Sequence, residues 1–558
     1  MNRLALLFSA MVIASGCGSS GRSNRGDGGG GDFDLGGSFD MGGGTDDGFI
    51  YVPPDDGMFV VVDPKDCAEA AANKSYIGCD YWPTVTANAV WSVFDFAVVV
   101  SNPGTDPATV TVTGPNNVNQ MVTVMPGSIQ KIALPWVPEL KGADSDECGS
   151  STPISASVSK TSGAYHLVSS KPVLVYQFNA LQYKGGTGGK WVDCPGTKTA
   201  CKPPAGNNQP IGCFSYSNDA SLLLPSTAMT GNYRVVTTHG VSSLLPGLVP
   251  GLRAYFTITA TQNNTMVKVK ASATSDIVAG NGGITAIAKN ATKDFVMNAG
   301  DVLELVGGDK TADDLSGSLV QADKPVQVIG GVPCIANPSN ACDHVEETVL
   351  PAETWGQRYA VTMPTGPKGS RAPATVRFVG NVDGTTLTYD PAVSGAPTTL
   401  NAGQVVEVDN VSTDFVVTGT KAFSVSTLQK SASVVDPGSS PPKGDPSLSS
   451  ATAIEQYRLK YVFLAPDDYD VSYADVVAPN GAMMMLDGAA VTTTGTQIGG
   501  TGYKVFRIQL GANNGGVHTL VSDLPVGVQV IGYGSFTSYQ YPAGLNLLSI
   551  APPPPPIN

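Results

Sequence analysis

A polar turn, usually closed by proline, followed by alternating apolar residues recurs four times along the chain. The copies are Ser170-Lys171-Pro172-Val173-Leu174-Val175, Asp323-Lys324-Pro325-Val326-Gln327-Val328, Thr420-Lys421-Ala422-Phe423-Ser424-Val425 and Asp523-Leu524-Pro525-Val526-Gly527-Val528. Alternation of this kind is strand periodicity, and it puts Val173/Val175, Val326/Val328, Phe423/Val425 and Val526/Val528 on one face. Proline is tolerated where such a strand opens, because its first residue need not donate to the ladder. Upstream of each copy a glycine precedes another alternating stretch, at Gly127-Ser128-Ile129, Gly300-Asp301-Val302, Gly403-Gln404-Val405 and Gly502-Tyr503-Lys504-Val505. A third echo opens the middle copies, where Leu224-Pro225 leads to Tyr233 and Leu350-Pro351 leads to Tyr359 at the same spacing. No long stretch has helical periodicity.

The fold expected is therefore all-β, built of about four tandem sandwich-like units at residues 65–215, 216–345, 346–445 and 446–548. A propeller-like ring and paired double β domains are the alternatives. At 558 residues the chain is too long for one core, which agrees with division into units. The Asp436-Pro437-Gly438-Ser439-Ser440-Pro441-Pro442 stretch marks the clearest boundary. The pattern predicts that Val173, Val326, Phe423 and Val526 are buried and that Gln327 faces solvent.

Residues 1–17, MNRLALLFSAMVIASGC, read as a secretory leader: Arg3, an apolar run from Leu4 to Ile13, then small residues. Ala14-Ser15-Gly16-Cys17 resembles a bacterial lipobox, with Ala14 where leucine is common, and Cys17 is the expected lipidation site. Gly18 after the cysteine, in place of an acidic residue, implies the outer membrane of a Gram-negative bacterium and a cell-surface location. Acyl chains on one residue supply roughly 0.8 kcal/mol per buried methylene, enough for an anchor without a membrane span. Residues 18–64 follow as a tether: Gly18 to Gly48 holds 13 glycines in 31 residues, and nine aspartates lie between Asp27 and Asp63. That composition cannot bury enough surface to offset chain entropy. At the other end, residues 549–558 form a proline-rich tail, expected to be a stiff terminus.

With Cys17 lipidated, Cys67, Cys79, Cys148, Cys194, Cys201, Cys213, Cys334 and Cys342 remain, an even set that reads as disulfides in an exported chain. Cys334–Cys342, flanking a short loop, is the predicted pair, and the other connectivities stay open. No C-x-x-C pair favours zinc.

Chemistry is sparsely signalled. Forty-six acidic against 32 basic residues, a net charge of −14, disfavour nucleic acid. Four scattered histidines (His166, His239, His344, His518) supply neither a metal site nor a triad. Gly185-Gly186-Thr187-Gly188-Gly189-Lys190 lacks phosphate-loop spacing, and Gly532-Tyr533-Gly534-Ser535-Phe536 lacks the last glycine of a nucleophile elbow. His344-Val345-Glu346-Glu347 is the densest polar cluster, read as a solvated loop beside Cys342. Asp467, Asp468, Asp470 and Asp475 are read as an exposed acidic turn, with sugar or calcium chemistry as the rival. Tyr533, Phe536, Tyr539 and Tyr541 are weighed as a candidate binding surface against core packing. No catalytic, cofactor-binding or metal residues are assigned, and no cofactor is expected.

Several strings resemble the family named for the N-terminal region of the IgG Fc-binding protein, which includes bacterial secreted and lipid-anchored members. They are Ser75 to Trp82 (SYIGCDYW), Phe96 to Asn102, Ala220 to Val235, His344 to Tyr359 and His518 to Gly544. The resemblance covers about residues 70–548, is firmest from 220 onward, and brings no catalytic motif. It identifies no antibody-contact residue, so IgG binding is not inferred.

The function expected is that of a non-enzymatic, lipid-anchored cell-surface protein that binds or adheres through its tandem β units, with an extracellular glycan or protein as ligand. A structural envelope component is the alternative, and a carbohydrate-active enzyme a third reading.

Overall fold

The computed structural model describes residues 63–92, 94–144, 151–181, 215, 218–242, 251–338, 342–466, 469–511 and 516–557. The leader, Cys17, tether residues 18–62, the glycine-rich loop at 185–190, Cys148, Cys194, Cys201, Cys213, Asp467 and Asp468 lie outside the described residues. The fold is all-β, and the longest described helix, Cys67–Ala72, has six residues, capped by Asp66 accepting from the Glu69 N–H. No described helix is long and apolar enough to cross a membrane.

One two-sheet plan is used four times. In each unit a long strand crosses between the sheets: His166–Phe178, Leu319–Ala322 with Val326–Ile335, Phe415–Gly419 with Phe423–Gln429, and Gly516–Gly534. Its first part pairs with a short opening strand (Gly78–Tyr81, Asn232–Arg234, Arg358–Val361, Arg458–Ala465) and with a hairpin strand. Its second part pairs on one side with a first strand (Phe96–Ser101, Tyr255–Ala260, Ala374–Gly380, Val471–Pro479) and on the other with a closing strand (Ala220–Leu222, Asp343–Thr348, Leu448–Ser450, Thr537–Pro542). The recurrent Pro172, Pro325, Ala422 and Pro525 stand at the crossing, where the backbone leaves one ladder before joining the next and a missing N–H costs little. Because the closing strands pair backward, hydrogen bonding ends each of the first three units a few residues beyond the boundary expected from sequence.

The apolar residues after the crossing fill the unit cores. Val173, Val326, Phe423 and Val526 are each fully buried, and with Val175, Val328, Val425 and Val528 they enter four separate core clusters. Each crossing is held by a tyrosine. The Tyr81 hydroxyl accepts from the Gly78 N–H (2.9 Å) and donates to the Val173 carbonyl (2.6 Å). Tyr233 does the same between Thr230 (3.2 Å) and Val326 (2.7 Å), Tyr359 between Gly356 (3.0 Å) and Phe423 (2.6 Å), and Tyr461 between Arg458 (3.1 Å) and Val526 (2.5 Å). The ring supplies apolar bulk while its hydroxyl satisfies two backbone groups that the change of sheet leaves without ladder partners.

The recurrent glycines have a backbone reason in the first three units. Gly127, Gly300 and Gly403 adopt φ of +64°, +83° and +73°. Each donates to the last residue of the first strand or the one after it, which in turn donates to the residue following the glycine. This is a β-bulge whose first position needs the left-handed region that glycine enters without strain.

The four units close into a propeller-like ring, with each closing strand touching the closing strands of both neighbours. Units one and two meet through Thr84 Oγ1 and Thr259 Oγ1 at 2.8 Å. Arg377 spans the next seam to Asp314, and Arg507 the one after to Asp414 at 2.9 and 3.0 Å. The last seam joins unit four to unit one, where the Tyr176 hydroxyl donates to Val462 at 3.1 Å within one shared core cluster. Gln327 corrects its sequence expectation: it is buried, and its amide donates to Trp82 O (2.8 Å) and Thr84 Oγ1 (3.2 Å) across the first seam. The proline tail lies against unit two, with the Ile557 N–H donating to Gln321 Oε1 at 2.6 Å.

Candidate functional site

The ring axis is polar. Asp219, immediately before the first closing strand, accepts backbone N–H groups from all four closing strands: Ala220 (2.9 Å) and Gln540 (3.4 Å) on one oxygen, Leu448 (3.1 Å) and Glu346 (3.2 Å) on the other. Ala220, Glu346 and Leu448 each stand thirteen residues before the latch tyrosine of the following unit, so the donors are equivalent positions of the repeat. One side chain thus pins an N–H from every unit. Burial pushes the Asp219 carboxyl well above the usual carboxylate range, while the N–H bonds pull the other way.

Glu346 lies beside it and accepts from Thr86 Oγ1 (2.9 Å), Asn179 Nδ2 (2.5 Å), Gln177 Nε2 (3.2 Å) and Ser221 Oγ (3.2 Å), with His344 Nε2 at 3.4 Å. Glu347 accepts from Thr348 N (3.0 Å) and Ser450 N (2.9 Å), and burial pushes its carboxyl up to about 8. Burial also raises Asp445 to about 7, and both burial and neighbouring Asp445 hold Asp343 well above the usual range. These groups are inaccessible: Asp219, Asp343, His344, Glu346 and Asp445 are fully buried and Glu347 is 1% exposed. Among the described residues no group of three His, Cys, Asp or Glu is placed to hold a metal ion. The axis knits strands of all four units together.

Two sequence readings are corrected here. The His344–Glu347 cluster is not a solvated loop; it forms the axial closing strand Asp343–Thr348, every residue of which is buried. Local polarity concealed this, because the partners that satisfy the cluster come from distant units. Asp475 is likewise no part of an exposed turn: it lies in Val471–Pro479, is 1% exposed, accepts from Thr365 N at 3.0 Å, and is raised by burial to about 6. Asp470 is half-buried with Lys443 Nζ 3.6 Å away.

The aromatic surface is also corrected. Tyr533, Tyr539 and Tyr541 are fully buried, and only Phe536, at 36%, is exposed. Their hydroxyls are consumed within the protein, Tyr533 on Thr365 O (2.8 Å), Tyr539 on Ser472 Oγ (3.0 Å) and Tyr541 on Leu464 O. Tyr539 and Tyr541 pack at the seam where unit four meets unit one, with Tyr541 4.9 Å from the Tyr176 ring. Cys334, near the end of the long strand of unit two, forms a disulfide with Cys342, just before its closing strand, and Cys67 is joined to Cys79.

What the surface offers instead is apolar pairs on exposed sheet faces. In unit one Met121 and Val168, 71% and 43% exposed, flank Thr111 from its two neighbouring strands. In unit two Met266 faces Val296, and in unit four Met485 faces Val521, each pair directly opposite across a ladder. All four of those side chains are exposed. Sequence alternation contains these positions but does not mark them, since methionine at a strand position reads equally well as core.

Tandem β units closed round an inaccessible axis, with apolar groups displayed outward, define a binding scaffold. The chain belongs to the IgGFc binding protein family, whose model matches residues 219–532. It is similar to the human IgGFc-binding protein, 38% identical over 117 residues, which is 20% of this chain and 2% of that protein. The chain therefore spans only a small fraction of that relative's length. A solved structure of a tetra-tandem repeat in the extending region of a large adhesion protein aligns over 83% of this chain and 98% of its own, at 10% identity. Its TM-score of 0.07 carries no argument.

Proposed function

We propose that this is a non-enzymatic, lipid-anchored binding protein of the bacterial outer surface, held by Cys17 and presenting its ring on the glycine-rich tether. The observation that carries the binding reading is the recurrence of exposed methionine-valine pairs on sheet faces of three units. Single exposed apolar residues are ordinary, whereas repeated clusters at related places mark contact surfaces. Methionine suits such a surface because its unbranched, polarizable side chain adapts to a partner's relief. A partner that engages several units of one rigid ring gains avidity without tighter single contacts. The IgG Fc specificity in the relative's name is not carried over.

The test is a binding screen against arrayed glycans and surface proteins, using the intact chain and a Met121→Lys/Met266→Lys/Met485→Lys variant. The wild type is expected to retain a ligand without chemical turnover and the variant to lose it. Equal binding by both, or conversion of the ligand, contradicts the proposal.

A further inference from the structure

The edges of the repeated units are not treated alike. In unit two the edge strand Val302–Val306 is covered by Val158–Lys160, a segment of unit one, in the register Val302↔Lys160, Leu303↔Ser159 and Glu304↔Val158. All five residues of that edge strand are buried. Among the described residues no strand pairs with the free side of the equivalent edge in unit three, Val405–Val411: Val405 and Val406 are half-buried and Glu407 is exposed.

The glycine bulge fixes which backbone groups face outward. Gly380 donates to Gln404 and accepts from Gly403, so Gln404 is a hydrogen-bonded partner of the first strand. By antiparallel alternation Val406, opposite Phe378, also turns its N–H and carbonyl inward, and those of Val405 and Glu407 point away. In unit two the same phase, set by Gly300 and Ala260, leaves Val302 and Glu304 facing Val158–Lys160.

The unpaired edge borders a cleft of about 590 Å³ at the seam between units two and three. Gln404, Val405 and Glu407 form one wall, and Thr274, Thr311 and Asp314 the other. The segment of unit two corresponding to the covering strand, between its edge and long strands, is much shorter and turns back on its own unit. Gly240 N donates to Asp313 O at 2.8 Å and His239 bridges to Asp314.

We propose that Val405–Glu407 accepts an extended segment of a partner protein as an added antiparallel strand, in the way unit two accepts Val158–Lys160. An added strand draws affinity from main-chain hydrogen bonds and specificity from alternate side chains. The occupant is a β-branched, hydroxyl-bearing peptide with a basic residue, because the equivalent edge of unit two takes Val158-Ser159-Lys160 in the same phase; Glu407 and Asp409 are themselves paired with Arg377 and Lys430. The site is separate from the methionine-valine pairs, so its failure and theirs are distinguishable.

The probe is a synthetic peptide with the sequence of residues 154–161, ISASVSKT, added to the intact protein and read by residue-resolved amide exchange. Without it, Val405 and Glu407 should exchange at least tenfold faster than Val406. At saturation both should slow at least tenfold, and the same peptide N-methylated at its central valine should have no effect. Val405→Pro should abolish protection of Glu407, and Val405→Thr should retain it. No slowing at saturation, equal slowing by the N-methylated peptide, or Val405 and Glu407 already as slow as Val406 in the free protein would overturn the proposal. The N-methylated probe keeps the test valid if the proline variant does not fold.

Discussion

Replacing Asp219 with alanine removes an acceptor shared by the four closing strands. Three of its bonds, from Ala220, Leu448 and Glu346, are 3.2 Å or shorter, and the fourth, from Gln540, is 3.4 Å. A buried donor left unpaired costs about 1–3 kcal/mol, so the three shorter bonds alone correspond to about 3–9 kcal/mol. Removal of a fully buried carboxyl that burial disfavours offsets part of this. The net loss expected is about 3–6 kcal/mol, a large share of the 5–15 kcal/mol that holds an ordinary domain. Asp219→Asn keeps the shape but turns an amino group toward donors, so it should fall between wild type and alanine. Urea unfolding measures the loss, and amide exchange locates it: Ala220, Glu346, Leu448 and Gln540 should all quicken, although they lie in four different units. A loss under about 1 kcal/mol, or quickening confined to Ala220, would refute a common axial pin.

Phenylalanine at Tyr233 or Tyr359 strands one buried carbonyl and one N–H, so each variant should lose roughly 2–4 kcal/mol in urea unfolding while keeping its β circular dichroism. Glu347 and Asp445 bind protons in the folded protein up to about pH 8 and 7, whereas unfolded carboxyls release them near pH 4. Stability should therefore fall as pH rises from about 5 to 8, and Glu347→Gln should flatten that slope in a series of urea midpoints. Below about pH 4 the order reverses, because Asp80 and Asp314, whose carboxyls lie below the usual range beside His166 and Arg377, lose their ion pairs on protonation. Cys17→Ser should move the protein from membrane to soluble fractions, and unchanged fractionation would contradict the anchor.

The recurring apolar alternation was legible because core-facing strand residues obey a period of two whatever surrounds them. That period alone assigns Val173, Val326, Phe423 and Val526 to the core, and two of the four latch tyrosines, Tyr233 and Tyr359, stand out by their shared spacing. Tyr81 and Tyr461 lack the preceding Leu-Pro and were missed. The axis was not legible: Asp219 carries no local sign that four strands converge on it, and Glu346 looks solvated until partners from residues 86, 177, 179 and 221 are supplied. For the same reason Gln327 and Asp475 were misplaced, since polar groups at seams between units are buried by contacts distant in sequence, whereas the tyrosines at 533, 539 and 541 follow the core-packing alternative.

Closure of the ring is tested most directly by zero-length cross-linking of amines to carboxylates, followed by peptide mapping of the monomer. Asp63, at the start of the described chain, lies 3.4 Å from Lys460 Nζ in unit four, and it also pairs with Arg458. A closed ring predicts an intramolecular Asp63–Lys460 link that disappears in urea. Its absence from the folded monomer, or its appearance only in covalent dimers, would contradict the closed four-unit architecture.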